Sequence, residues 1–64
     1  MMKEESWKVT VESLFPNDRR AERVYEGRYA DETEAREAAL GEEAKENGGS
    51  TIATVLKVER AEAD

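Results

Sequence analysis

The chain contains no cysteine and no histidine. Without thiols it can build neither a disulfide framework nor a thiolate metal site. Without imidazole it lacks the commonest general base near neutral pH and the commonest metal-binding nitrogen. No apolar run approaches the ~20 residues of a membrane-spanning helix. The opening Met1-Met2-Lys3-Glu4-Glu5 has no apolar stretch of the signal-peptide kind. An intracellular, cytoplasmic, soluble protein is the expectation, with no membrane contact.

Positive charge is also scarce. Ten Lys and Arg face 16 Asp and Glu, a net charge of −6. The excess is uneven: residues 1–30 hold six basic and six acidic side chains, residues 31–64 four and ten. Binding to a phosphate backbone needs a clustered positive surface, so an acidic balance argues against it. With 64 residues, 38% of them apolar and 41% charged, the chain is expected to form one small domain with a narrow stability margin. Residues 1–5 and 61–64 are expected to fray.

The clearest local signal runs from Asp31 to Gly49. Asp31 stands at an N-cap position, and Glu34, three residues on, can reach back to the cap amide. Strong helix formers follow from Ala35 to Lys45, and Asn47-Gly48-Gly49 tolerates the left-handed conformation that ends helices. Two faces compete for burial. Leu40, Ala44 and Thr33 share one side with Gly41 at its margin, while Ala35, Ala38 and Ala39 form a small-residue patch roughly opposite Ala44. Leu40 is the one large apolar side chain, so its side is expected to be buried.

Three strand patterns flank this helix. Ser6 to Phe15 alternates, with Trp7, Val9, Val11, Ser13 and Phe15 on one face. Pro16-Asn17-Asp18 is a turn signal. Ala21 to Ala30 reads as a second strand with Tyr25, Gly27 and Tyr29 inward, Gly27 marking a bulge or a close helix approach. Ser50 to Arg60 reads as a third, with Ile52, Thr54, Leu56 and Val58 toward the helix and Ala53, Val55, Lys57 and Glu59 away from it. The order ββαβ then predicts an α+β fold: a three-stranded antiparallel sheet of order 2-1-3 with the helix on one face. The predicted core is Trp7, Val9, Val11, Phe15, Tyr25, Tyr29, Leu40, Ile52, Leu56 and Val58.

Catalytic constellations are absent. Ser6, Ser13 and Ser50 have no histidine partner, and the paired carboxylates have no cleft to serve. No enzyme activity and no cofactor are expected. Asp31, Glu32 and Glu34, or Glu42, Glu43 and Glu46, could gather oxygens around a hard cation, but they lack calcium-loop spacing, and capping and solvation explain them. Gly48-Gly49-Ser50-Thr51 follows a helix and precedes a strand, the reverse of a phosphate-binding loop.

A sheet with one uncovered face favours an interaction or assembly module whose partner is a protein, itself included, as a homodimer. Val24 and Val55, with Ala53, Leu14 and Thr10, are the residues expected on that face. Arg19, Arg20, Arg23 and Arg28 place four of the six arginines within ten residues, interleaved with Tyr25 and Tyr29. They carry the alternative reading, a single-stranded nucleic-acid platform. An acidic mimic of nucleic acid is a further alternative. The stretch Y-A-D-E-T-E-A-R-E-A-A-L leading to N-G-G, set between a hairpin and a strand, resembles small bacterial and archaeal ββαβ proteins. That resemblance lies in element order and capping and implies the fold alone.

Overall fold

The computed structural model describes residues 4–61. Strand β1 spans Glu5–Leu14, β2 Arg20–Tyr29, helix α1 Glu32–Asn47 and β3 Ile52–Ala61. The strands form one antiparallel sheet ordered β2-β1-β3, and α1 packs against all three. The expected α+β fold and strand order are what the structure has. Residues 1–3 and 62–64, where fraying was expected, lie outside the described residues. Glu5 and Ala61 belong to strands.

The helix ends as its sequence dictates. Asp31 Oδ1 accepts from the Glu34 amide at 2.8 Å, and Gly48, left-handed at φ 62°, closes the far end. One detail differs. Glu34 Oε1 accepts from the amide of Ala30 at 2.9 Å, one residue before the cap. The hairpin turn is equally local: the Asp18 amide donates to the Phe15 carbonyl at 2.9 Å. Asp18 itself takes a positive φ of 66°, a conformation aspartate tolerates better than most residues.

The buried helix face is the alanine face, which corrects the expectation built on Leu40. Ala35, Ala39 and Glu43 are buried, while Thr33 and Ala44 are exposed. Leu40 is half-buried at the margin of the core, and Gly41 is exposed with open space around it. Short side chains let the helix backbone lie close to β1, where Val9 and Val11 are fully buried. Each of these valines contributes about 1.5–3 kcal/mol by leaving water. A large residue at 35 or 39 would hold the two elements apart.

The inward face of β3 is also corrected. Pairing with β1 runs regularly from Leu14↔Ile52 to Val11↔Val55, then shifts, so that Thr10 faces Lys57 and Val9 faces Val58. Leu56 is the extra residue of a β-bulge, which resets the alternation. Ala53, Val55 and Val58 therefore pack toward the core, while Ile52, Thr54 and Leu56 are exposed. Of the four residues expected inward, only Val58 is. The observed core is Val9, Val11, Ala35 and Ala39, bordered by Trp7, Tyr25, Tyr29, Leu40, Ala53, Val55 and Val58. Ile52 and Leu56 have no part in it, and Phe15 lies outside the cluster.

Gly27 is not a bulge. β1 and β2 pair without interruption from Glu5↔Tyr29 to Leu14↔Arg20. A Cβ on Gly27 would come within 2.6 Å of Cε2 and Cζ of Tyr29. The Tyr29 ring thus lies flat over the glycine, two residues along the same face. The Trp7 indole donates to the Tyr29 carbonyl at 3.1 Å and steadies this end of the hairpin.

The two helix faces give opposite outcomes on enlargement. Ala39→Leu should lower stability by about 1–3 kcal/mol through overpacking. Ala44→Leu, in water, should stay within about 0.5 kcal/mol of the wild type. Urea unfolding of both variants checks the assignment, and equal losses would contradict it.

Candidate functional site

The sheet face turned away from α1 is laid out by the strand register. From the hairpin end, Leu14 lies between Arg20 and Ile52, Glu12 between Glu22 and Thr54, and Thr10 between Val24 and Lys57. Lys8 then lies between Glu26 and Glu59. Leu56, the unpaired bulge residue, sits beside the Thr10 row at the β3 edge, where it also lines a shallow hollow with Glu32 and Arg36 of α1. Among the described residues, the large exposed apolar side chains are Val24 at 56% and Ile52 at 67% exposure on this face, and Leu56 at 49% on its β3 edge. Leu14 beside them is half-buried. Glu12 and Glu22 stand directly opposite each other, a like-charge pair that costs stability where nothing neutralises it.

Of the residues singled out from sequence, Val24 is on this face. Val55 is not: regular pairing opposite Val11 turns it inward against the core, as pairing opposite Ser13 turns Ala53. Ile52 and Leu56 take their place. The four arginines are dispersed. Arg20 and Arg28 fall on the open face at opposite ends of β2, and Arg19 sits in the hairpin loop. Arg23 is on the helix side, where its guanidinium meets Glu46 Oε1 at 2.8 Å. Tyr25 and Tyr29 pack against the core, as their parity predicts. Tyr25 also donates its hydroxyl to Glu46 Oε1 at 3.1 Å. Burial, then the bond to Glu46, pushes the Tyr25 phenol above its ordinary value.

A buried polar cluster went unread in the sequence. Glu43, grouped there with solvated acids, is only 2% exposed. Its Oε2 accepts from the Ser13 hydroxyl at 2.6 Å, from the Asn47 side-chain amide at 3.0 Å and from the Thr51 hydroxyl. One carboxylate thereby joins the central strand, the helix C-terminus and the start of β3. The Ser13 hydroxyl first, then that of Thr51, hold its carboxyl below the ordinary glutamate range against the opposing effect of burial, and Asn47 adds to them. Among the described residues these three side chains are its hydrogen-bond partners, and together they tie three elements to one another. The other acids have ordinary roles: Asp31 and Glu34 cap the helix, and Glu32 pairs with Arg36 at 3.5 Å.

Two concavities adjoin the hairpin tip. One, about 570 Å³, is lined by Phe15, Pro16, Asn17, Arg19, Arg20 and Ala21. The other, about 360 Å³, shares Phe15 and Ala21 and adds Ser13, Arg23, Tyr25, Glu46 and Asn47. They exist because α1 is shorter than the sheet. Sixteen helical residues span about 24 Å, whereas a ten-residue strand spans about 33 Å.

Glu43→Gln at neutral pH should cost about 1–3 kcal/mol, since the donors lose a charged acceptor. Because folding lowers this pKa, the stabilisation is present above the ordinary value of 4.5. It is lost as pH falls below that and through the lower folded value. Urea unfolding at pH 7 and at about pH 3 should show the gap between wild type and variant shrinking in acid. No family model, curated protein sequence or solved structure matches this chain.

Proposed function

We propose that the chain is a non-enzymatic assembly module that associates with a second copy of itself through the open sheet face. One observation carries the reading: of Val24, Ile52 and Leu56, the large exposed apolar side chains among the described residues, two lie on the face that α1 leaves uncovered and the third on its β3 edge. A three-residue apolar set in β2 and β3, with Leu14 between them, gains most by losing water together.

Size sets the strength of that contact. Three strands about 4.8 Å apart and about 33 Å long present a projected area of roughly 450–500 Å². A standard interface buries about 800 Å² per partner. Association through this face is therefore weak and reversible, with a dissociation constant above about 1 μM. The face also carries charges of both signs, as transient interfaces do.

Single-stranded nucleic-acid binding through Arg19, Arg20, Arg23 and Arg28 has less support, since these side chains do not share one surface and both tyrosines pack inward. Exposed pairs such as Glu32–Arg36 and Glu59–Lys57 also dilute the acidic surface that a nucleic-acid mimic would present.

Sedimentation equilibrium over a wide concentration range tests the proposal. Wild type should move from monomer to dimer as concentration rises. The variant Val24→Thr, Ile52→Thr, Leu56→Thr, which keeps β-branched residues suited to strands, should fold and stay monomeric. A monomeric wild type at millimolar concentration, or a variant that dimerises equally well, would overturn it.

A further inference from the structure

We infer that the groove at the hairpin tip, whose rim includes Arg20 at the end of the open face, is a second docking site, separate from the Val24 and Ile52 patch, for an extended acidic peptide segment that carries a large apolar side chain. The groove arises where the sheet outruns the helix. Phe15 continues the inward parity of β1, but it falls outside the core cluster under α1 and stays half-buried. Phe15, Pro16 and Ala21 give the first well an apolar floor, and its volume of about 570 Å³ is within the range of sites that enclose a ligand side chain.

Charge selects the occupant. Arg19 and Arg20 line this well, and neither forms an ion pair among the described residues. They are two of three arginines, with Arg28, that form no ion pair among the described residues, and each presents a planar fork suited to a carboxylate. The adjoining well is polar, and there Glu46 already neutralises Arg23. Two wells that share Phe15 and Ala21, one apolar with a basic rim and one polar and neutral, suit an extended peptide: an apolar side chain in the first, acidic neighbours on Arg19 and Arg20, backbone groups in the second. A nucleic-acid strand fits less well. Phe15 is the one aromatic ring beside the wells available for stacking, because Tyr25 packs against the core.

The probe is a blocked pentapeptide, phenylalanine with two glutamates on either side, titrated into the ¹⁵N-labelled full chain and followed by NMR. Saturable shifts in the amides of residues 15–21 are expected. They should be absent with the peptide that has lysine in place of glutamate. Arg19→Ala combined with Arg20→Ala should raise the dissociation constant between about threefold and thirtyfold, as the loss of two exposed ion pairs would. Phe15→Leu, which keeps an apolar floor, should weaken binding less than Phe15→Ser. The open-face variant Val24→Thr, Ile52→Thr, Leu56→Thr should bind the peptide as wild type does, which separates this site from the dimer contact. The inference is overturned by shifts confined to residues 24, 52 and 56, or by equal response to the lysine peptide. No saturable response at millimolar peptide would overturn it too, as would an oligothymidylate that moves residues 15–21 when the acidic peptide does not.

Discussion

How near α1 can come to β1 sets nearly everything else in this molecule. Ala35 and Ala39 bring the helix down onto Val9 and Val11, and one turn further the same stripe reaches Glu43. At that point the contact changes character from van der Waals packing to hydrogen bonding, because Ser13 occupies the matching inward position of β1. The dry part supplies the gain from burial, which has no direction of its own. The polar part has direction. It ties α1 to Ser13 and to Thr51, at the start of the returning strand. A buried carboxylate costs a great deal unless its donors are in place, so sliding the helix along the sheet would strand Glu43 without them.

Much of this was legible in the sequence, and the reasons differ by element. The helix ends could be read because capping is local: Asp31, Glu34 and Gly48 act within a few residues of themselves. β1 could be read because it is the central strand, with Val9 and Val11 alternating against Lys8 and Thr10. The tyrosine face of β2 followed from the same period. β3 could not be read this way. From Ala53 to Val58 it has apolar residues at both parities, so periodicity alone cannot select a face. The choice is made by pairing with β1 and by the bulge at Leu56.

The helix face was misjudged for a related reason. A pattern weighted by hydrophobicity follows Leu40, whereas a helix lying on a sheet is selected as much by how little its side chains protrude. Glu43 was missed with it. Once Ala35 and Ala39 are taken as the contact stripe, Glu43 falls at the next position, four residues on. Ser13, a polar residue at an inward position of an otherwise apolar strand face, was the matching signal. Each looks like an exception alone, and together they explain one another. Val55 followed the β3 error, and the exposed Ile52 and Leu56 came to light only with the register.

The bulge at Leu56 has a consequence for how copies of this chain can meet. A three-stranded sheet has two outer rims, β2 and β3, each offering unmatched amides and carbonyls to any passing strand. On the β3 rim the extra residue breaks the spacing of those groups midway, so an incoming straight strand cannot match them along its full length. The β2 rim is regular, yet Arg20, Glu22, Arg23, Glu26 and Arg28 place charge along it, and stacking identical strands there would bring like charges together. Both rims thus resist runaway cross-β growth, one by geometry and the other by electrostatics, and a chain with so small a core can stay dispersed when crowded.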